Sequence, residues 1–298
     1  MTIIERLQQY KDLEPHKIAL IVDEEQYTYG QLYDAILSME FNNTSRIINL
    51  DQFNDGPKNK VLLIQSPSFV EQLLQWLWGL YTSMVCHNEM DAAYIDELDR
   101  IISVEGVPTS ADFGVLTSGT TGRPKPLWRS ESSWREFFDT QNNIFHINKD
   151  TKIFLHGSFS FTGVSNMVMA VLWSGGTVIT TSSLRPIRWI QLINKYHVDH
   201  IYALPTKLRL LVRHCKSKLD SISYIIGGSQ VLDRQLMEQL ERICPNMEFI
   251  LYYGATELNY ITYCTGKEWL DREGTVGRPF PSVKIAEQNG VIYVTTKY

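Results

Sequence analysis

The chain has 298 residues and a net charge of -5, with 44% hydrophobic and 20% charged residues. That is an ordinary globular balance in a chain long enough to fold without disulfide or metal staples. The acidic excess argues against a surface given over to nucleic-acid phosphates. Cys86, Cys215, Cys244 and Cys264 form no Cys-x-x-Cys pair, which argues against a zinc or thioredoxin-like site and fits a reducing compartment. The N-terminus MTIIERLQQYKD is polar and lacks a signal-peptide core. The most apolar stretch, Phe69 to Cys86, is interrupted by Glu71, Gln72 and Gln75, too short and polar for a transmembrane segment. A cytoplasmic location is the expectation.

Short β-rich runs alternate with amphipathic helices along the chain. Gln52 to Lys58 is rich in turn residues and reads as a loop. Lys60 to Gln65 reads as a buried strand, and Phe69 to Met84 as a helix with Leu73, Leu74, Leu77 and Leu80 on one face. Phe113 to Leu116 reads as a short strand entering a Gly/Thr/Ser loop. A helix from Ser133 to about Asn142 follows, capped by Ser130 or Ser132.

Further strands are expected at Lys152–Leu155, Thr177–Thr181, Asp199–Ala203, Ser223–Ile226 and Glu248–Tyr252. Helices are expected at Val164–Trp173, Ile187–Tyr196, Thr206–Lys216 and Asp233–Ile243. Such alternation implies a parallel sheet covered by helices, with ligands at the carboxyl ends of its strands. After Gly274 the pattern becomes a hairpin, Ser282–Ala286 and Val291–Thr296, around Glu287-Gln288-Asn289-Gly290.

Two runs carry chemistry. Leu116-Thr-Ser-Gly-Thr-Thr-Gly-Arg-Pro-Lys125 places hydroxyls, two glycines and a lysine in one loop after a strand. Successive backbone N–H groups and hydroxyls there can form an anion-binding nest, and Lys125 adds a mobile positive charge. The alternative is a polar surface turn. The loop is not a Walker A motif, because Gly119 and Gly122 stand too close and no Gly-Lys-Ser/Thr follows. Tyr252-Tyr253-Gly254-Ala255-Thr256-Glu257 offers an aromatic face, a hydroxyl and a carboxylate at a strand end. Such a set can stack a base, touch a phosphate and hold a hard cation. Alone, it reads equally well as a core tyrosine beside a solvated glutamate.

The run TSGTTGRPK resembles the phosphate loop of the adenylate-forming (AMP-binding) superfamily of acyl-CoA synthetases, adenylation domains and luciferases. One departure is Pro126, where the family usually has glycine. The run ending at Glu257 is similar to the family's Tyr-Gly-x-Thr-Glu signature, and Gly227-Gly228-Ser229 to its Gly-Gly turn beside the adenine. Gly274-Thr-Val-Gly277-Arg-Pro279 resembles a further family turn, mainly structural, and Asp23 to Leu32 the family's opening pattern.

The resemblance implies two stacked α/β halves with mostly parallel sheets, plus the start of a small β-barrel subdomain. Residues 1–270 would form the AMP-binding core in two subdomains, and 271–298 a strand segment beginning the barrel. It implies ATP, Mg²⁺ and CoA as co-substrates and cofactors. Lys125, Thr256 and Glu257 would be catalytic, with Glu257 on the metal and Thr256 on the α-phosphate. Thr117, Ser118, Gly119, Thr120, Thr121, Gly122, Gly227, Gly228, Ser229, Tyr252, Tyr253 and Gly254 would hold the nucleotide, Tyr253 by stacking on adenine. Phe159, Ser160, Thr162 and Gly163 would border the acid.

Many acyl-CoA synthetases carry histidine at the position of Ser160, and amino-acid-activating relatives carry aspartate at that of Thr162. Without that carboxylate an α-amino acid is disfavoured, since a buried unpaired ammonium is costly, and an apolar or aromatic acid is preferred. His156 is expected to be structural, as is the pair His197-x-x-His200, which lacks a third ligand nearby. Arg185, Arg188, Arg209 and Arg213 are expected on solvated helix faces.

The implied reaction joins the acid to the α-phosphate of ATP and then to a thiol, of CoA or a carrier protein. No nucleic-acid partner is implied. The family's ribose-binding aspartate and its lid lysine would fall beyond Tyr298. A chain lacking that lid is expected to bind nucleotide weakly and turn over little, or to be a non-catalytic remnant.

Overall fold

The computed structural model describes residues 1–40, 45–50, 60–79, 82–87, 90–117 and 125–296. In chain order the elements are α1 (Ile3–Leu13), β1 (Ile18–Val22), β2 (Glu25–Thr28), α2 (Tyr29–Leu37), β3 (Arg46–Asn49), β4 (Lys60–Ile64), α3 (Phe69–Leu77), β5 (Thr82–Val85) and α4 (Ala92–Glu105). There follow β6 (Phe113–Leu116), β7 (Pro126–Arg129), α5 (Ser132–Ile144), β8 (Lys152–Leu155), α6 (Thr162–Trp173), β9 (Thr177–Thr180), α7 (Pro186–Lys195), β10 (His200–Tyr202) and α8 (Pro205–His214). The last are β11 (Tyr224–Gly228), α9 (Arg234–Ile243), β12 (Glu248–Ala255), β13 (Asn259–Thr265), α10 (Gly266–Asp271), β14 (Arg278–Pro279), β15 (Lys284–Gln288) and β16 (Val291–Thr295).

The chain divides into two compact units: residues 1–18, 27–135 and 157–169 form one, and 19–26, 136–156 and 170–298 the other. The first holds a five-stranded sheet of order β3-β4-β5-β6-β7, parallel from β4 to β6 with an antiparallel strand at each edge. Its core gathers Val61 and Leu63 of β4, Met84 of β5, and Ile95, Leu98 and Ile102 of α4, all buried. Helix α1 opens with a reciprocal capping box: Glu5 N–H donates to the Thr2 hydroxyl and Thr2 N–H to the Glu5 carboxylate. Such boxes satisfy two otherwise bare N–H groups at a helix start.

The second unit is built on a nine-stranded sheet of order β14-β13-β12-β11-β10-β8-β9-β1-β2. Pairing is parallel from β1 to β12 and antiparallel from β12 to β14. The α/β class and the mostly parallel main sheet therefore agree with the alternation of runs. Strand β9, Thr177-Val-Ile-Thr180, is buried at every residue, as expected where helices cover both faces of a parallel sheet. Among the described residues no helix is long and apolar enough to cross a membrane.

Three expectations need correction. Phe69 to Met84 is not one helix: α3 ends at Leu77 and Thr82 already belongs to β5. Gly79 takes φ +71°, a conformation that ends a helix cheaply only in glycine. Of the predicted face, Leu73 and Leu77 are buried, whereas Leu80 and the expected loop Gln52–Lys58 lie outside the described residues. The strand expected to stop at Tyr252 runs on to Ala255 and is followed by β13, which the alternation did not suggest. Finally, Arg188 and Arg209 are not merely solvated, since they pair with Glu24 and Asp233 respectively.

The expected C-terminal hairpin forms, but its first strand is Lys284–Gln288 and not Ser282–Ala286, so Glu287 and Gln288 are paired and do not belong to the loop. Gln288 pairs with Val291, which leaves Asn289 and Gly290 as a two-residue turn with φ +55° and +77°. Positive φ at both positions is the I′ geometry that Asn-Gly favours. Gly277 is tied to its position more tightly: its φ is +84°, and an added Cβ would lie 2.0 Å from the Tyr263 carbonyl oxygen. Gly277→Ala is expected to destabilise the fold by roughly 1–3 kcal/mol, read as a lower urea midpoint. An unchanged midpoint would contradict this packing.

Candidate functional site

In the second unit, β11 and β12 lie side by side and parallel, with Gly227 opposite Leu251 and Gly228 opposite Tyr252. The Gly227-Gly228-Ser229 and Tyr252-Tyr253-Gly254 runs therefore occupy adjacent strand ends. Close approach explains the glycines. A Cβ on Gly228 would meet the Tyr252 carbonyl oxygen at 2.4 Å, and one on Gly227 the Phe249 ring at 2.8 Å. Ser229 follows at φ +62° and is exposed.

The two tyrosines part company because strand side chains alternate. Tyr252 is 6% exposed and its hydroxyl shares a 2.7 Å hydrogen bond with that of Tyr202, the rings stacked at 6.0 Å. The edge of its ring meets Tyr260 at 4.8 Å. Burial pushes the hydroxyls of all three up from their ordinary values. Tyr253 instead presents its ring to solvent, 49% exposed.

A bulge between Tyr253 and Gly254 then bends β12 into a tight turn, in which Leu258 N–H donates to the Ala255 carbonyl at 3.0 Å. Thr256 and Glu257 lie in that turn. Gly254 cannot carry a side chain, since a Cβ would meet the Asn259 carbonyl oxygen at 2.5 Å. A hydroxyl and a carboxylate on one exposed turn are hard oxygen donors suited to a phosphate-bound Mg²⁺. The second unit thus gathers Gly227, Gly228, Ser229, Tyr253, Gly254, Thr256 and Glu257, and turns Tyr252 inward.

In the first unit, β6 and β7 form a hairpin with Leu116 opposite Pro126. Thr117 and Lys125 close its neck: Thr117 N–H donates to the Lys125 carbonyl at 3.0 Å, and Lys125 N–H to the Thr117 hydroxyl at 3.4 Å. Ser118, Gly119, Thr120, Thr121 and Gly122 lie outside the described residues. Lys125 is exposed.

Phe159, Ser160, Thr162 and Gly163 lie at the head of α6. Phe159 is buried, edge-on to Phe69 at 5.7 Å and Trp76 at 6.0 Å. Ser160 is 4% exposed and donates to the Ser158 hydroxyl at 2.8 Å. It also bonds His87 Nδ1 at 2.7 Å, and the imidazole rests on Phe161 at 4.9 Å. Sequence reading missed His87. It follows β5, which was hidden in the tail of an expected helix, and no local motif marks it.

A cavity of about 480 Å³, lined by His146, Asp199, His200 and Tyr224 among others, opens at the amino ends of β8, β10 and β11. The motif residues of the second unit sit at the opposite, carboxyl ends, where open α/β sheets bind their ligands. The cavity is therefore not the site the motifs describe.

The chain belongs to the AMP-binding enzyme family, whose sequence pattern matches residues 93–294. It is similar to VraA of Staphylococcus epidermidis, a provisionally named long chain fatty acid-CoA ligase, with 26% identity over 95% of this chain and 64% of that protein. YhfT of Bacillus subtilis, an uncharacterized acyl–CoA ligase, is 27% identical over 68% of this chain and 41% of its own length. The chain thus spans two thirds or less of the length of these relatives. Among solved structures, o-succinylbenzoate CoA synthetase (MenE) of Bacillus subtilis matches with a TM-score of 0.78 and 17% identity, over 97% of this chain and 66% of that one. VinN in complex with L-aspartate matches at 0.79 and 14%, over 99% and 88%. At such identities the structural matches speak for the fold.

Two histidines of the second unit are held by packing and hydrogen bonds. His200 is buried, with Nδ1 on the Asp199 carboxylate and Nε2 3.2 Å from the Phe145 carbonyl oxygen, so both ring nitrogens are engaged. His156 packs on Trp189 at 4.5 Å, its Nδ1 buried without a partner. Burial, with the nearby Lys207 ammonium, holds its pKa down at about 4. An unfolded histidine titrates near 6.5, so between those values the unfolded chain binds the extra proton. Stability is then complete above about pH 6.5 and falls toward pH 4. His156→Gln is expected to flatten that part of the urea-midpoint-versus-pH curve. An unchanged slope would place the acid sensitivity elsewhere.

Proposed function

We propose that this chain carries the part of an adenylate-forming ligase that activates a small carboxylic acid with ATP, and that the whole protein passes the acyl group to a thiol, CoA in the first instance. The carrying observation is Tyr253. Its half-exposed ring stands at a strand end beside the Gly227-Gly228-Ser229 turn, while its neighbour Tyr252 is buried. The naming of two sequence relatives as CoA ligases supports the same reading.

In this proposal the second unit supplies the face for adenine through Tyr253 and the oxygens of Thr256 and Glu257. The first unit supplies Lys125, Thr117 and the run Ser118–Gly122 for the phosphates. Phe159, Ser160, Thr162 and Gly163 border the acid. A carboxylate oxygen bonds to the α-phosphorus and pyrophosphate leaves. Two anions must meet, so positioning and charge neutralisation carry most of the rate. Lys125 opposes the phosphate charge. Glu257 would hold Mg²⁺, which supplies further neutralisation when bound.

Calorimetric titration with AMP tests the site. Tyr253→Ala is expected to weaken binding by about 1–3 kcal/mol, the worth of one stacked base, whereas Tyr253→Phe should bind as well as the parent. Equal affinity of all three proteins would remove Tyr253 from the nucleotide site. ATP–pyrophosphate exchange across a panel of carboxylic acids tests activation. Added CoA or a carrier protein then reveals the thiol acceptor. A chain that neither binds AMP nor exchanges pyrophosphate with any acid would overturn the proposal.

A further inference from the structure

Helix α6 is apolar along most of its length, and Met167 through Leu172 are fully buried. Two polar side chains interrupt that interior without any partner. Asn166 is 3% exposed, and neither its Oδ1 nor its Nδ2 makes a hydrogen bond. The Thr162 hydroxyl, four residues earlier, is likewise buried and bare. Residues four apart share a helix face, about 6 Å apart along the axis. Ser165, on the same helix, shows the ordinary solution: its hydroxyl donates to the Phe161 and Thr162 carbonyls at 3.3 and 3.2 Å. Gln141 of α5 is also bare, but its face neighbours Phe137, Phe138 and Phe145 offer no polar companion.

A buried donor or acceptor left unmade carries its full desolvation penalty, and native proteins leave few of them. Three such atoms on one face call for a partner from outside the chain. We propose that Thr162 and Asn166 read a neutral hydrogen-bonding group on the acid, a hydroxyl, and so select a hydroxylated acid over its plain counterpart. The inference rests on the ligase reading above and gives that site a substrate class.

Neutrality follows from the helix itself. Residues 157–173 contain no Asp, Glu, Lys or Arg, so α6 and its head offer no counter-ion to a second charge beside Asn166. A hydroxyl both donates and accepts, which suits an amide carrying both functions. Phe159, with Phe69 and Trp76 at its edges, supplies an apolar wall for the acid's skeleton. Phe161 stands 53% exposed at the head of the helix.

Calorimetric titration of the full chain, with AMP present, would compare benzoate with 4-hydroxybenzoate and hexanoate with 6-hydroxyhexanoate. The hydroxylated member of at least one pair is expected to bind tenfold or more tightly, roughly what a hydrogen-bonding pocket discriminates at minimum. Asn166→Leu should erase that preference without lowering Tm. Thr162→Val should weaken it, and serves as the second variant if Asn166→Leu fails to fold. The inference is overturned by a wild type that binds both members equally or binds none of the four acids. It is also overturned by an Asn166→Leu variant that keeps the preference, or by one that has lost only stability, the mark of a trapped water. AMP titration without acid tests the ligase reading separately: intact AMP binding with no acid discrimination sinks this inference alone.

Discussion

The parallel contact between β11 and β12 is the constraint on which the second unit's surface depends. A methyl group on Gly228 would sit 2.4 Å from the Tyr252 carbonyl oxygen, so the two strands keep their register only with glycine there. Tyr252 is then pinned inward by its bond to Tyr202. Because the side-chain period of a strand is two, that anchor alone sends Tyr253 outward. A slip of one residue would bury Tyr253 and expose Tyr252. The exposed aromatic face is therefore fixed from behind, by the buried hydroxyl pair of Tyr202 and Tyr252.

The same logic separates what was legible in the sequence from what was not. The β/α alternation of the second unit was readable because its short strands are rich in β-branched and aromatic residues, as in β9, and its helices are amphipathic, as in α9. The Asn289-Gly290 turn was readable because its chemistry is local. The break inside Phe69–Met84 was not, because Thr82-Ser-Met-Val85 is buried at every position and a short buried strand has no period to distinguish it from helix. Strand β13 was hidden for a different reason. It exists by antiparallel pairing with β12 across a bulge, which is a tertiary fact.

Among the candidate residues the motifs were legible and their partners were not. Tyr253 and Ser229 could be named from the string, yet the division of labour between Tyr252 and Tyr253 needed the strand's facing. His87 could not be found at all. Its bond to Ser160 joins positions 73 residues apart, and neither residue carries a local signature. In this chain an imidazole stands hydrogen-bonded to the very position where many acyl-CoA synthetases carry their own histidine.

Specificity follows a different rule from the fold. A chain 17% identical to MenE and 14% identical to VinN superposes on each with TM-scores of 0.78 and 0.79, so sheet order and helix placement tolerate nearly complete replacement of side chains. Asn166 of α6 answers to a different requirement: both polar atoms of its amide are buried without a partner, and the Thr162 hydroxyl one turn earlier is bare as well. An apolar side chain of similar size would fill that space without the desolvation cost. On the proposal that this pair reads a hydroxyl, that cost is offset only when the acid is bound, so the pair serves specificity and not stability.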